Sequence, residues 1–123
     1  MTGLTLNARS IAAVVLCGLG ACVQPAFDRT VVYELRIAGM PDVRSVAVRG
    51  DDAPLSWTKD LLLERATDDS VYRATVTYRT GRLKTEVKFV VNGVFELQEQ
   101  PNRRVAFTGD TTRYRALFDR AIP

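Results

Sequence analysis

Residues 72–97 read YRATVTYRTGRLKTEVKFVVNGVFEL, and this stretch decides the fold. Tyr72, Ala74, Val76 and Tyr78 alternate with Arg73, Thr75 and Thr77, the period of two expected of a strand with one buried face. Thr80-Gly81 supplies a turn. Leu83, Thr85, Val87, Phe89 and Val91 then share one face, with Lys84, Glu86 and Lys88 on the other. Asn92-Gly93 follows as a hairpin signal, since both residue types accept the positive φ that a tight two-residue turn needs. Val94 to Leu97 return as a strand. A hairpin of this kind cannot hide its apolar face alone and calls for further strands and an opposing layer.

Those strands are present on either side. Val31, Tyr33, Leu35 and Ile37 alternate with Val32, Glu34 and Arg36, and Gly39-Met40-Pro41-Asp42 ends the run. Val46 and Val48 alternate with Ser45, Ala47 and Arg49 up to Gly50-Asp51-Asp52-Ala53-Pro54, a dense group of turn formers. A loop with Trp57 and the short apolar run Leu61 to Leu63 come next. Downstream, Arg103 to Phe107 and Thr112 to Phe118 fit two more strands, the last with Tyr114, Ala116 and Phe118 inward. No stretch has a sustained helical period. About seven or eight short strands at roughly ten-residue spacing point to an all-β, antiparallel β-sandwich without internal repeats.

Composition narrows the function classes. The chain has 123 residues, 46% of them apolar and 25% charged, a balance that suits one globular domain and not a disordered tail. Its 17 basic and 14 acidic side chains give +3, too small a surplus for the phosphate tracking of a nucleic-acid binder. Histidine is absent, which removes the commonest general base and the commonest zinc ligand. Neither a phosphate-cradling glycine loop nor a nucleophile with a nearby base stands in the sequence, and none of its Cys or acidic residues has metal-ligand spacing. The expectation is a protein without catalysis and without a cofactor.

Residues 1–21 have the layout of a secretory signal: no acidic residue, a positive side chain at Arg9, and an apolar core from Ile11 to Leu19 that is too short to span a bilayer. The core closes on Leu19-Gly20-Ala21-Cys22, which resembles the lipobox of bacterial lipoproteins, where small residues precede a cysteine that becomes the lipidated first residue. An ordinary signal with a coincidental cysteine is the alternative. Cleavage before Cys22 discards Cys17 and consumes the other thiol in a thioether, so the fold is expected to stand without a disulfide. Residues 22–28 are then a lipidated tether and 29–123 the sandwich domain. Val23 follows the cysteine in place of the aspartate associated in such proteins with inner-membrane retention, which implies an outer-membrane anchor.

Within the sandwich, several segments follow one another in a recognisable order: Val46-Ala47-Val48-Arg49-Gly50, Pro54-Leu55-Ser56-Trp57, Asp68 to Val76, Glu86 to Gly93, Phe95-Glu96-Leu97 and Pro101-Asn102-Arg103. Their order and spacing resemble the starch-binding domains of carbohydrate-binding module family 20 and the related glycogen-binding modules. The resemblance covers about half of the chain. It implies an immunoglobulin-like fold, an α-glucan or similar oligosaccharide as partner, and a sugar site made of Trp57 as the first aromatic, Lys88, Phe95 as the second aromatic, Glu96 and Asn102. Phe95 stands where the family usually has tryptophan, and Val87 replaces the aromatic that precedes the lysine.

Elementary chemistry supports residues of these types. A pyranose offers an apolar C–H face and a rim of hydroxyls, so its receptor needs flat rings and fixed polar groups. Trp57 sits in a loop among polar residues, where it either binds or caps one end of the core. Lys88 lies on the solvent face of its strand. Phe95 shares a face with Leu97 and reads equally as core or as site. Glu96 reads as an exposed strand acid as readily as a ligand, and Asn102 as a turn former that also reaches the site.

Other charged groups read as scaffold. Asp51-Asp52 and Asp68-Asp69 suit turns better than the fixed carboxylate separation of a glycosidase. Arg103-Arg104 with Arg113, Arg115 and Arg120 form a basic C-terminal third that could meet anionic lipid or lipopolysaccharide phosphates, although interspersed acids and strand alternation favour a solvated face. The competing expectation for the whole protein is a degenerate module that keeps the sandwich, has lost its sugar affinity, and docks on an envelope protein.

Overall fold

Where alternation is strongest, backbone pairing is longest. In the computed structural model, which describes residues 25–67 and 70–121, nine strands form: β1 Phe27–Arg36, β2 Val46–Gly50, β3 Leu61–Leu62, β4 Glu64–Arg65, β5 Val71–Thr80, β6 Lys84–Val91, β7 Val94–Phe95, β8 Arg103–Ala106 and β9 Thr111–Leu117. They make two sheets. One has the order β4-β5-β1-β9; the other runs β3-β2-β6-β7, with β8 also on β6. Both β7 and β8 line the edge of β6 away from β2, β7 at Val90 and Val91 and β8 from Lys84 to Val87. They are two pieces of one broken strand, separated by residues 96–102.

The sheets pack face to face as an all-β sandwich. Val31, Tyr33 and Leu35 of β1 and Val76 and Tyr78 of β5 meet Val46 and Val48 of β2 and Val87, Phe89 and Val91 of β6, all essentially enclosed. Every residue of this core lies between Val31 and Ala116. Tyr33 stands edge-on to Phe89 across the layers, with ring centroids 6.0 Å apart. Its hydroxyl meets that of Tyr78 at 2.6 Å, so each buried phenol has a polar partner. Burial, with the charge of Asp52 adding, pushes Tyr78 up to about 12 against the lowering effect of its bond to Tyr33. The Tyr33 phenol is driven further the same way, chiefly by burial.

Several expectations need correction. The sandwich is not wholly antiparallel: β1 and β9 run parallel, from Thr30 beside Thr111 to Arg36 beside Leu117. Short-range alternation carries no information about the relative direction of strands so far apart in sequence. β1 begins at Phe27, two residues inside the expected tether. Leu83 is 81% exposed: its carbonyl still accepts from the Phe107 N–H at 2.9 Å, but it stands at the open end of the ladder beside the Thr80-Gly81 turn, ahead of strand β6. Cys17, Cys22 and the signal segment lie outside the described residues, as do Asp68 and Asp69.

Candidate functional site

Trp57 owes its position to the turn that precedes it. Gly50 is packed so closely that an added Cβ would come within 2.7 Å of the Glu86 carbonyl oxygen and 2.9 Å of Val87. The Asp51 N–H donates to that same carbonyl at 3.0 Å, and the Leu55 N–H to the Asp52 carbonyl at 2.9 Å. Leu55 is the residue that enters the core, which leaves Trp57 two positions later free to turn outward. Its indole N–H donates to Asp51 Oδ1 at 2.7 Å, and the Ser56 hydroxyl caps the following turn by accepting from the Thr58 and Lys59 N–H groups. Arg49 draws the loop down over the outer face of the sheet, with Nη1 on the Trp57 carbonyl at 3.0 Å and Nε on Asp60 at 2.7 Å.

Phe95 arrives from the other edge. Asn92 and Gly93 take φ values of 52° and 79°, the tight turn expected from the sequence, and Phe95 pairs in register with Val90. Because Val87, Phe89 and Val91 fill the core, Val90 and its partner point to the opposite, outer face. The ring of Phe95 lies 6.4 Å from that of Trp57, with the planes inclined at 49°. Both rings are half-buried. The question left open between core and surface is thus decided by register, and Trp57 does not cap the core. Beneath this patch, Ala47 and Val90 pair with each other and are buried although they face away from the interior.

The polar residues divide. Lys88 is on this outer face, in register with Arg49; it is half-buried and its ammonium donates to the Leu97 carbonyl at 3.0 Å, leaving two of its three N–H donors. Asn102, also half-buried, gives its amide to Glu86 Oε1 at 3.2 Å. Glu86 is two residues before Lys88 on the same face. Arg49 and Glu86 were not singled out by the sequence reading, although alternation already placed both on the solvent side of their strands. The guanidinium of Arg49 stands 5.1 Å over the Phe95 ring, a cation–π contact that covers one face of it. A groove of about 450 Å3 adjoins Phe95, lined among others by Met40, Val94, Gln98 and Phe118.

Glu96 is neither an exposed strand acid nor a surface ligand. Its side chain is fully enclosed, and Arg103 grips it with Nε at 2.6 Å and Nη2 at 2.8 Å. The Phe89 and Asp119 N–H groups also donate to it, at 2.9 and 3.1 Å. Arg103 Nη2 reaches on to the carbonyls of Leu117 and Arg120. Burial works against the Arg103 charge, yet the Glu96 partner outweighs it and holds the guanidinium even more firmly protonated than usual. The pair joins both ends of the break between β7 and β8 to the end of β9. It is scaffold beneath Phe95. No family model matches the chain, and no curated protein matches it either.

Proposed function

We propose that the protein is a non-catalytic carbohydrate-binding module, carried on a lipid-anchored envelope protein with Cys22 as the attachment point at the outer membrane. The observation that carries this reading is the Trp57–Phe95 pair, two half-buried rings brought together on the outer face of one sheet from separate segments. Two planes inclined at 49° suit a ligand whose successive sugar rings turn relative to one another, as in an α-glucan, better than a flat ribbon. Lys88, Asn102 and Glu86 line the same face as donors and acceptor for hydroxyls. The indole N–H is already committed to Asp51, so Trp57 contributes a surface and not a hydrogen bond.

Titrating a chain that starts at Val23, and so keeps every strand, with maltoheptaose or β-cyclodextrin should give a saturable change in the fluorescence of Trp57, the single tryptophan. Trp57→Ala should abolish binding measured by calorimetry. A folded protein with no saturable response would leave the proposal without support. One observation favours a second reading, the degenerate module that docks on an envelope protein: Arg49 already occupies a face of the smaller ring at Phe95. Arg49 also anchors the Trp57 loop through the Trp57 carbonyl and Asp60, so the titration itself separates the two: saturable binding of maltoheptaose supports the sugar reading, and its absence in a folded chain favours docking on a protein.

A further inference from the structure

The other outer face of the sandwich has a different chemistry. On the β5-β1-β9 side, the register sets Arg73, Glu34 and Arg115 side by side on three neighbouring strands, with Arg113 next to Val32 one row away. Glu34 is 13% exposed, while the side chains of Arg73, Arg113 and Arg115 are 48%, 60% and 73% exposed. One carboxylate therefore serves three guanidiniums: Arg73 Nε at 3.3 Å and Arg113 Nη1 at 3.0 Å on Oε1, and Arg115 Nε at 3.2 Å on Oε2. Each arginine spends one of five N–H donors on Glu34. The carboxylate gathers the three cations and neutralises one of them; with Glu64, exposed opposite Arg73 on β4, and Arg36, one row further along β1, four cations face two carboxylates and the group stays positive.

Beside this cluster lies a groove of about 730 Å3, whose wall combines Arg73 and Arg115 with the apolar side chains of Ala66, Val71 and Leu117. The basic group is not the C-terminal third that the sequence suggested. Arg103 is buried, and Arg104 pairs across from Glu86 on the opposite sheet. Arg113 and Arg115 remain, joined by Arg73 from β5.

The geometry points to this face as a docking surface for the anionic phospholipid headgroups of the membrane that holds the anchor. Charge complementarity selects an anion; guanidinium forks match phosphate oxygens in pairs. The apolar strip next to them suits the glycerol and ester carbons of a lipid, which a free polyanion lacks. Chain length adds the second argument, and here the inference rests on the reading of Cys22 as lipidated. Cys22 stands five residues before Phe27, the first residue of β1, so the tether reaches at most ~18 Å. The sandwich cannot leave the surface by much more than two screening lengths at physiological salt, each about 8 Å. Because the arginines and the Trp57–Phe95 pair occupy opposite outer faces, docking through the arginines presents the rings away from the bilayer.

The test uses the chain from Val23, without the anchor, in co-sedimentation with phosphatidylcholine vesicles containing or lacking 30% phosphatidylglycerol at low salt. Binding is expected only with phosphatidylglycerol. Arg113→Gln with Arg115→Gln, which leaves Arg73 to pair with Glu34, should weaken it by about 30-fold, and Glu34→Gln should strengthen it. Equal binding to neutral vesicles, no binding at all, or indifference to both variants overturns the inference. Incorporation of labelled palmitate into the full chain, lost in Cys22→Ala, tests the anchor separately, so either reading can fail without the other.

Discussion

Two glutamates in this sandwich are each held by arginine, and they do opposite things. Glu96 is enclosed with one guanidinium in a two-pronged grip, and the backbone N–H groups of Phe89 and Asp119 complete its shell. Glu34 lies near the surface of the other sheet with three guanidiniums, each touching it through a single nitrogen. In the first case nearly all hydrogen-bonding capacity is turned inward, and the pair specifies a chain path. In the second the carboxylate positions cations whose remaining donors face water. Burial, more than residue type, separates a strut from a recognition surface.

The sharpest way to break the comparison is to remove one partner of the buried pair. Arg103→Ala strands a carboxylate inside the fold and also frees the Leu117 and Arg120 carbonyls, an outcome that costs about 3–5 kcal/mol. For a domain of this size the melting temperature should fall by about 12 °C or more. A shift of a degree or two would show that the pair is not structural. Glu96→Gln should be destabilising as well, and the double variant should lose clearly less than the two single losses added together, because the groups share one interaction.

This is also where the sequence was least legible. Strands β1, β5 and β6 could be read from alternation because each has one face in the core, a constraint repeated every second residue. Residues 94–97 continue that pattern in sequence, which places Glu96 outward. Instead the chain leaves the ladder after Phe95, and Leu97 and Glu99 adopt φ values of 50° and 62°. Neither residue type announces such a conformation. The groups that compensate, Arg103 and the Asp119 N–H, come from beyond the local window in which periodicity operates. The site itself was half legible. Trp57 and Phe95 followed from the resemblance, but only pairing with Val90 decides which way Phe95 faces, and the part played by Arg49 depends on a cross-sheet contact.

A smaller effect is expected at the hinge of the aromatic face. Gly50→Ala places a methyl against the fixed Glu86 carbonyl and the Val87 side chain, so β2 and β6 must part or the turn must shift. Overpacking of this kind costs about 1–3 kcal/mol. Urea denaturation measures that loss. A displaced turn would also raise the exposure of Trp57, seen as a red-shifted emission. Full stability with unchanged emission would show that the turn yields at no cost.

The buried phenols should act at the alkaline end. Tyr78 titrates near 12 in the fold, against about 10 in the unfolded chain. Above pH 10 the unfolded state releases its proton first, so the stability contribution is complete below that pH and declines as the pH rises towards 12. Tyr78→Phe should flatten this limb of the stability–pH curve. An unchanged slope would assign it to other groups.

The smallest effect belongs to Glu34. Partial burial works against its charge, but the guanidiniums of Arg73 and Arg115 hold it below the ordinary carboxylate range. Such a group stabilises the fold above the unfolded value of about 4.3, and the contribution is lost as the pH falls through the depressed folded value. With its arginines largely in water, the contribution amounts to only about 0–1 kcal/mol and shrinks in salt. Glu34→Gln should therefore barely move the midpoint of urea denaturation at pH 7 in 0.5 M salt. The same substitution removes the carboxylate that the three guanidiniums share, so its main consequence should appear in what the surface attracts. A loss of stability comparable to that of Arg103→Ala would mean that Glu34, like Glu96, is a strut, and the distinction between the two carboxylates would collapse.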